Sequence, residues 1–208
     1  MQDNRIVHIV DDDEAVRQSL AFLLSSTGLA VRLYDSASAF LAGLASVKGG
    51  CLITDMRMPD MTGLELLHQL RAKACGLPAI VITGHGDVAL AVEAMKAGAV
   101  DFIEKPFDEE AILHAVQAAL ERGSEGEGGD APAIAARLAS LSERERQVLE
   151  GLIAGHPNKT IAYDLGISPR TVEVYRANLM TKMEARSLSE LIRMAILAKV
   201  APARRASK

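Results

Sequence analysis

The stretch HIVDDDEAV, residues 8–16, sets three carboxylates, Asp11, Asp12 and Asp13, directly behind a short apolar run. Like charges packed this closely raise one another's pKa unless something positive sits among them. Three further apolar runs end in complementary groups: Asp55 after CLIT, Thr83 at the end of AIVIT, and Lys105–Pro106 after FIE. Carboxylates, one hydroxyl and one ammonium gathered in one place suit a hard, hydrated divalent cation, Mg2+ or Mn2+. Such an ion bridges to phosphoryl oxygens, where a lysine also binds as a point charge. With one carboxylate as nucleophile, the chemistry is phosphoryl transfer onto aspartate. Each piece alone is commonplace, an Asp after a strand being most often a helix N-cap; their joint placement carries the reading.

Parallel strands bring such residues together. Apolar strand candidates at 6–10, 30–34, 51–54, 79–83 and 102–104 alternate with amphipathic helical patterns at 14–26, 37–45, 63–74, 88–97 and 109–122. Alternation of this kind predicts βα units and a parallel sheet covered on both faces. Five units suit the flavodoxin-like α/β fold, strand order 2-1-3-4-5, whose chemistry gathers at the carboxyl ends of the strands. TGHGDVA, residues 83–89, matches GxGxxA, nominally a dinucleotide fingerprint. It follows the fourth strand and not the first, and three aspartates at the first turn would repel a pyrophosphate, so it reads as a flexible βα loop.

Composition narrows the class. Aromatics make up 3% and Trp is absent, so Ala, Leu, Val and Ile must fill the interior. No apolar stretch approaches the roughly 20 residues that span a bilayer, and nothing suggests export. Cys51 and Cys75 lack metal or redox spacing and read as reduced thiols of a cytoplasmic protein. The net charge of −4 hides two regions of opposite sign. Residues 1–139 hold 11 Lys+Arg against 20 Asp+Glu, a balance of −9, and residues 140–208 hold 12 against 7, a balance of +5. The basic region is a candidate for nucleic acid.

Three segments follow from this: 1–122, a linker at 123–139 that opens on GSEGEGGDAPA, and an all-α four-helix domain at 140–208. Ser142 with Glu145 three residues on reads as a capping box, and Ser168 followed by Pro169 as a helix start. The helices NKTIAYDLG and SPRTVEVYRANLMTKM, joined through Gly166, form a helix-turn-helix whose second helix would enter the major groove. Val172, Tyr175, Leu179 and Met183 repeat at helical intervals and face the core. The opposite face offers Arg170, Glu173, Val174 and Ala177 to base edges. Thr171, Arg176 and Lys182, with Asn158, Lys159 and Thr160 at the preceding helix start, are expected at phosphates. On charge alone a plain four-helix bundle keeps real weight, a solvated basic face being the commonest meaning of a few arginines.

HIVDDDEAVR, LITDMRMPDMTGLELL, AIVITGHGD and AMKAGAVDFIEKPF make residues 1–122 similar to the receiver domain of two-component response regulators. The resemblance implies that Asp55 is the phosphoacceptor. It implies that Asp12, Asp55 and the backbone carbonyl of Arg57 hold the metal, with Asp11 helping through water. Thr83 would hydrogen-bond the phosphoryl group and Lys105 pair with it. Asp13 belongs to the helix start, where a carboxylate favours the dipole, and Lys105–Pro106 is expected to be cis.

Residues 141–183 resemble the LuxR/NarL-type DNA-binding domain, with Tyr175 where that family usually carries His. The pairing implies a transcriptional activator without enzymatic turnover beyond self-directed phosphotransfer and slow autodephosphorylation. A sensor histidine kinase, promoter DNA and RNA polymerase are its implied partners, and membranes are not. Phosphorylation would pull Thr83 inward, let Phe102 fill the vacated space, and pair two chains through Val88, Val92, Lys96 and Asp101. The protein is expected to be a monomer otherwise. Two other readings stay open: a small-molecule aspartyl-phosphate phosphatase, and a dimeric regulator that works without phosphorylation.

Overall fold

The computed structural model describes residues 5–84, 88–122 and 131–203. The middle of the TGHGDVA loop and residues 123–130 of the expected linker lie outside them. The chain divides into two compact units.

The first unit is built on five parallel strands: β1 (Ile6–Val10), β2 (Ala30–Tyr34), β3 (Cys51–Asp55), β4 (Ala79–Thr83) and β5 (Asp101–Glu104). Their order is β2-β1-β3-β4-β5, as the sequence pattern predicts. With them come α1 (Glu14–Ser26), α2 (Ala37–Ala42), α3 (Gly63–Ala72) and α5 (Glu109–Arg122). Val7, Ile9, Ile53, Ile80 and Ile82 form one buried layer with Leu20 and Leu24 of α1 and Ile112 and Val116 of α5. Residues of the opposite parity, Val10, Leu52 and Val81, are fully buried too, so β1, β3 and β4 are covered on both faces. The helix expected over 37–45 stops at Ala42, where Gly43 caps it, and a single 3-10 turn, Leu44–Ser46, follows.

Cys51 and Cys75 are free thiols, and burial pushes Cys51 up to about 12. On β1, His8 is 1% exposed, edge-on to Phe40 and beside Tyr34. Its Nε2 lies 3.4 Å from the Gly49 carbonyl, and its Nδ1 lies 3.3 Å from the Tyr34 hydroxyl. Burial holds the imidazole below its ordinary range; Arg32 adds to this and the Gly49 contact opposes it. The unfolded chain therefore takes up a proton near pH ~6.5 while the folded one does not. Stability present above that pH is lost as pH falls toward the folded-state value. Melting temperature should fall more steeply between pH 7 and pH 5 in the wild type than in His8→Gln, read by calorimetry.

The second unit holds residues 88–96 of α4 (Val88–Ala97) with α6 (Ala131–Ala139), α7 (Glu143–Ile153), α8 (Asn158–Leu165), α9 (Pro169–Met183) and α10 (Leu188–Leu197). Val148, Leu149, Leu152, Ile161, Val172, Leu179, Met183 and Leu191 form its core. Residues 131–139, inside the stretch expected as linker, are helical as α6. Ile134 and Leu138, one turn apart, bury against that core. Ser142 and Glu145 form the expected capping box at α7, and Ser168 with Pro169 opens α9. Gly166, at φ +65°, ends α8 in the left-handed conformation that glycine adopts without strain. Ser142→Ala removes a hydroxyl that accepts from the Glu145 N–H and should cost about 1 kcal/mol, measured by urea denaturation.

Candidate phosphoacceptor pocket and nucleic-acid interface

Each member of the acidic pocket sits where a strand ends. Asp11 follows β1 and is 2% exposed; Asp55 is the last residue of β3, 7% exposed; Thr83 ends β4 and is 1% exposed. Lys105 follows β5, its N–H donating to the Thr83 carbonyl at 2.7 Å, and the Lys105–Pro106 bond is cis. Strands in parallel register deliver these ends to one edge of the sheet. Asp12 and Asp13 are exposed in the turn that follows β1.

Lys105 Nζ lies 2.7 Å from Asp55 Oδ1 and 2.9 Å from Asp11 Oδ2, so one ammonium serves two buried carboxylates. Burial pulls its pKa down, but the hydrogen bonds to Asp55 and Asp11 prevail and hold it above the ordinary lysine value. Burial raises Asp11 despite the hydrogen bonds it accepts from Lys105 and from the Asp13 N–H. Asp55 Oδ2 accepts the Arg57 N–H. Asp13 caps α1, its Oδ1 accepting from the Ala15 N–H at 2.8 Å, which matches the helix-start role expected of it. Gly63 is required beside the pocket, because a Cβ there would sit 2.4 Å from the Asp55 carbonyl oxygen.

Two buried carboxylates share a single lysine, which leaves the pocket anionic and suited to a dication. Among the described residues no three carboxylate, imidazole or thiol groups are gathered closely enough to hold a metal ion by themselves. The two buried carboxylates, Asp11 and Asp55, supply hard oxygen donors of the kind a hydrated dication takes.

One residue that the sequence pattern did not single out enters here. The Arg17 Nη1 donates to the Asp11 backbone carbonyl at 2.6 Å. Its place on α1 was legible, but a side chain reaching back to a carbonyl leaves no periodic signal.

On α9, Val172, Leu179 and Met183 are buried and Tyr175 is half-buried, in the phase expected. Arg170, Glu173, Val174 and Ala177 are exposed together. Asn178, four residues beyond Val174, shares that exposure and joins the face. Lys159 is exposed, while Asn158 and Thr160 are half-buried. Arg176 Nη1 donates to Asn158 Oδ1 at 3.0 Å, tying α9 to the start of α8. The Thr171 hydroxyl is hydrogen-bonded to Ser168 Oγ at 2.8 Å. Lys182 pairs with Glu145 at 2.7 Å, and that hydrogen bond lowers the Glu145 pKa, with burial opposing. Lys182 therefore spends charge inside the unit.

The remaining candidates lie around α4 and β5. Within the second unit Val88 is half-buried against the core, Val92 is 2% exposed, and Lys96 Nζ donates to the Ile153 carbonyl at 3.1 Å. Asp101 and Phe102 are half-buried on β5, the Phe102 N–H donating to Asp101 Oδ1.

Comparison with known proteins gives concordant results. The response regulator receiver domain family matches residues 7–117, and the family of bacterial regulatory proteins, luxR family, matches residues 139–195. The transcriptional regulatory protein FixJ of Azorhizobium caulinodans is 62% identical over 205 residues, spanning 98% of this chain and 97% of that one. The protein of the same name from Rhizobium meliloti is 60% identical over 192 residues, spanning 91% and 94%. Among solved structures, full-length FixJ from B. japonicum aligns with a TM-score of 0.57 at 52% identity, covering 93% of this chain and 97% of that one.

Proposed function

Because the chain belongs to the two-component response regulators that couple a receiver domain to a LuxR-type DNA-binding domain, we propose that Asp55 is the phosphoacceptor through which a sensor histidine kinase controls promoter binding. The single observation that carries this reading is Lys105 bonded to both Asp11 and Asp55 at the sheet edge. It supports the reading because two carboxylates, one of them available as nucleophile, each lie within hydrogen-bonding distance of a cation suited to phosphoryl oxygens.

The chemistry is a displacement at phosphorus. A carboxylate oxygen of Asp55 attacks the phosphoryl group of a kinase phosphohistidine; the P–N bond breaks, and an acyl phosphate forms. Lys105 shifts its bond from carboxylate to a phosphoryl oxygen, and the Thr83 hydroxyl donates to another. Asp12, Asp55 and the Arg57 carbonyl would hold Mg2+, with Asp11 acting through water; the ion supplies charge neutralisation for the approach of two anions.

The exposed face of α9 reads bases, with Lys159 and the start of α8 at phosphates. Pairing of two chains through Val88, Val92, Lys96 and Asp101 requires rearrangement, because Val92 is buried and Lys96 is engaged by Ile153. Movement of Thr83 with Phe102 is the trigger, a local charge event read out by a two-state element. Dimerisation then raises affinity for paired half-sites through effective concentration. The segments expected as functional domains are 1–122 and 140–208. By similarity to the FixJ proteins, the phosphodonor is a FixL-like haem kinase, the targets are nitrogen-fixation or microaerobic promoters served by RNA polymerase, and the protein is cytoplasmic. No helix of the described residues is long and apolar enough to cross a membrane.

Incubation with acetyl phosphate and Mg2+ should add one phosphoryl group to the peptide carrying Asp55, seen by mass spectrometry and prevented by EDTA. A chain that stays unmodified with both acetyl phosphate and a histidine kinase would remove the reading.

A further inference from the structure

Arg17 reaches back from α1 to the acidic turn that precedes it. Its Nη1 donates to the Asp11 carbonyl at 2.6 Å, and its own N–H donates to the Asp13 carbonyl at 3.0 Å. The Asp11 carbonyl belongs to the peptide group that leads into Asp12. That peptide lies beyond the strand pairing, and its orientation decides how Asp11 and Asp12 are presented to an ion. Arg17 is half-buried, and no carboxylate of the described residues is ion-paired with it. Its charge is committed to a backbone oxygen in the turn that carries three aspartates. A guanidinium also fixes geometry that an ammonium on a flexible stem does not.

We propose that Arg17 is a positioning residue for the divalent-cation end of the phosphoacceptor pocket, holding the Asp11–Asp12 peptide in the orientation that binds Mg2+. This rests on the phosphoacceptor reading given above. The carboxylates remain the ligands. Arg17 acts through them, as supporting partners do in metal sites, where their loss typically weakens binding about 10- to 100-fold.

The test uses full-length wild type, Arg17→Met and Arg17→Lys. Mg2+ affinity is read by titration calorimetry, thermal unfolding is read in EDTA, and phosphorylation by acetyl phosphate is followed across Mg2+ concentrations. Arg17→Met should raise the Mg2+ Kd by ~10-fold or more, with Arg17→Lys in between. The Mg2+ concentration for half-maximal phosphorylation should rise in step, while the rate at saturating Mg2+ stays near wild type. Binding within twofold of wild type in both variants would overturn the proposal. So would a loss of rate at saturating Mg2+ with unchanged Kd. If Arg17→Met does not fold in EDTA, Arg17→Lys decides, a threefold or greater rise in Kd being required. A wild-type protein that binds no Mg2+ would overturn the phosphoacceptor reading along with this one, whereas tight wild-type binding with unaffected variants removes Arg17 alone.

Discussion

Asp55→Asn should leave the protein folded and unable to accept a phosphoryl group, with incorporation from acetyl phosphate falling by at least ~10³-fold. An amide oxygen at that position is a poor nucleophile and cannot yield a stable acyl phosphate. The structure argues against collapse of the fold. Asn keeps the volume and can still accept the Arg57 N–H, and Lys105 retains Asp11 as its ion partner. Two carboxylates that shared one ammonium become one, so like-charge repulsion at the sheet edge falls. Phosphorylation-dependent gain in DNA affinity should vanish with the modification. That gain is on the order of 10²–10⁴ if it comes from linking two binding units. The measurements are phosphopeptide mass spectrometry, sedimentation with and without phosphodonor, and anisotropy of labelled promoter DNA. Dimers that form in Asp55→Asn as readily as in wild type would favour the reading in which the receiver serves only as an oligomerisation module.

Removal of the Arg170 side chain should weaken binding to the cognate site by about 1–3 kcal/mol and relax specificity at one base pair. Arg170 lies in the first turn of α9, exposed and one turn before Val174, where the N-terminal part of a recognition helix meets base edges. Lys159→Ala gives the contrast. A phosphate contact carries no sequence information, so its loss should weaken cognate and scrambled DNA alike and reduce the salt slope by about 1. Lys182→Ala belongs to neither class, because Lys182 is bonded to Glu145 within the helical unit. Its effect should appear in thermal stability more than in salt dependence. Equal loss on cognate and scrambled duplexes for Arg170→Ala would move that residue from base to backbone.

The parts of the molecule legible in the sequence were those set by periodicity and strand ends. Asp11, Asp55 and Lys105 are far apart in the chain, yet parallel strands always deliver their carboxyl ends to one edge, and that rule sufficed to place them. The buried and exposed sides of α9 followed from spacing of 3 and 4. The parts that stayed hidden depend on where long side chains reach. Lys182 turns inward to a glutamate 37 residues away, and Arg17 turns back to a carbonyl; neither path is encoded in local pattern. α6 was obscured by composition. The Gly- and acid-rich run before it dominates the window, while the pair that anchors it, Ile134 and Leu138, contributes only two apolar positions. α4 read correctly as a helix, but local pattern says nothing of its grouping with the C-terminal helices.

Lys105 also bears on how the receiver is stored before any signal arrives. An acidic hollow that carries its own cationic plug has part of its like-charge repulsion offset from within, so folding and ion binding are expected to be separable. Chelation should silence such a receiver without denaturing it, and returning the ion should restore competence without a refolding step.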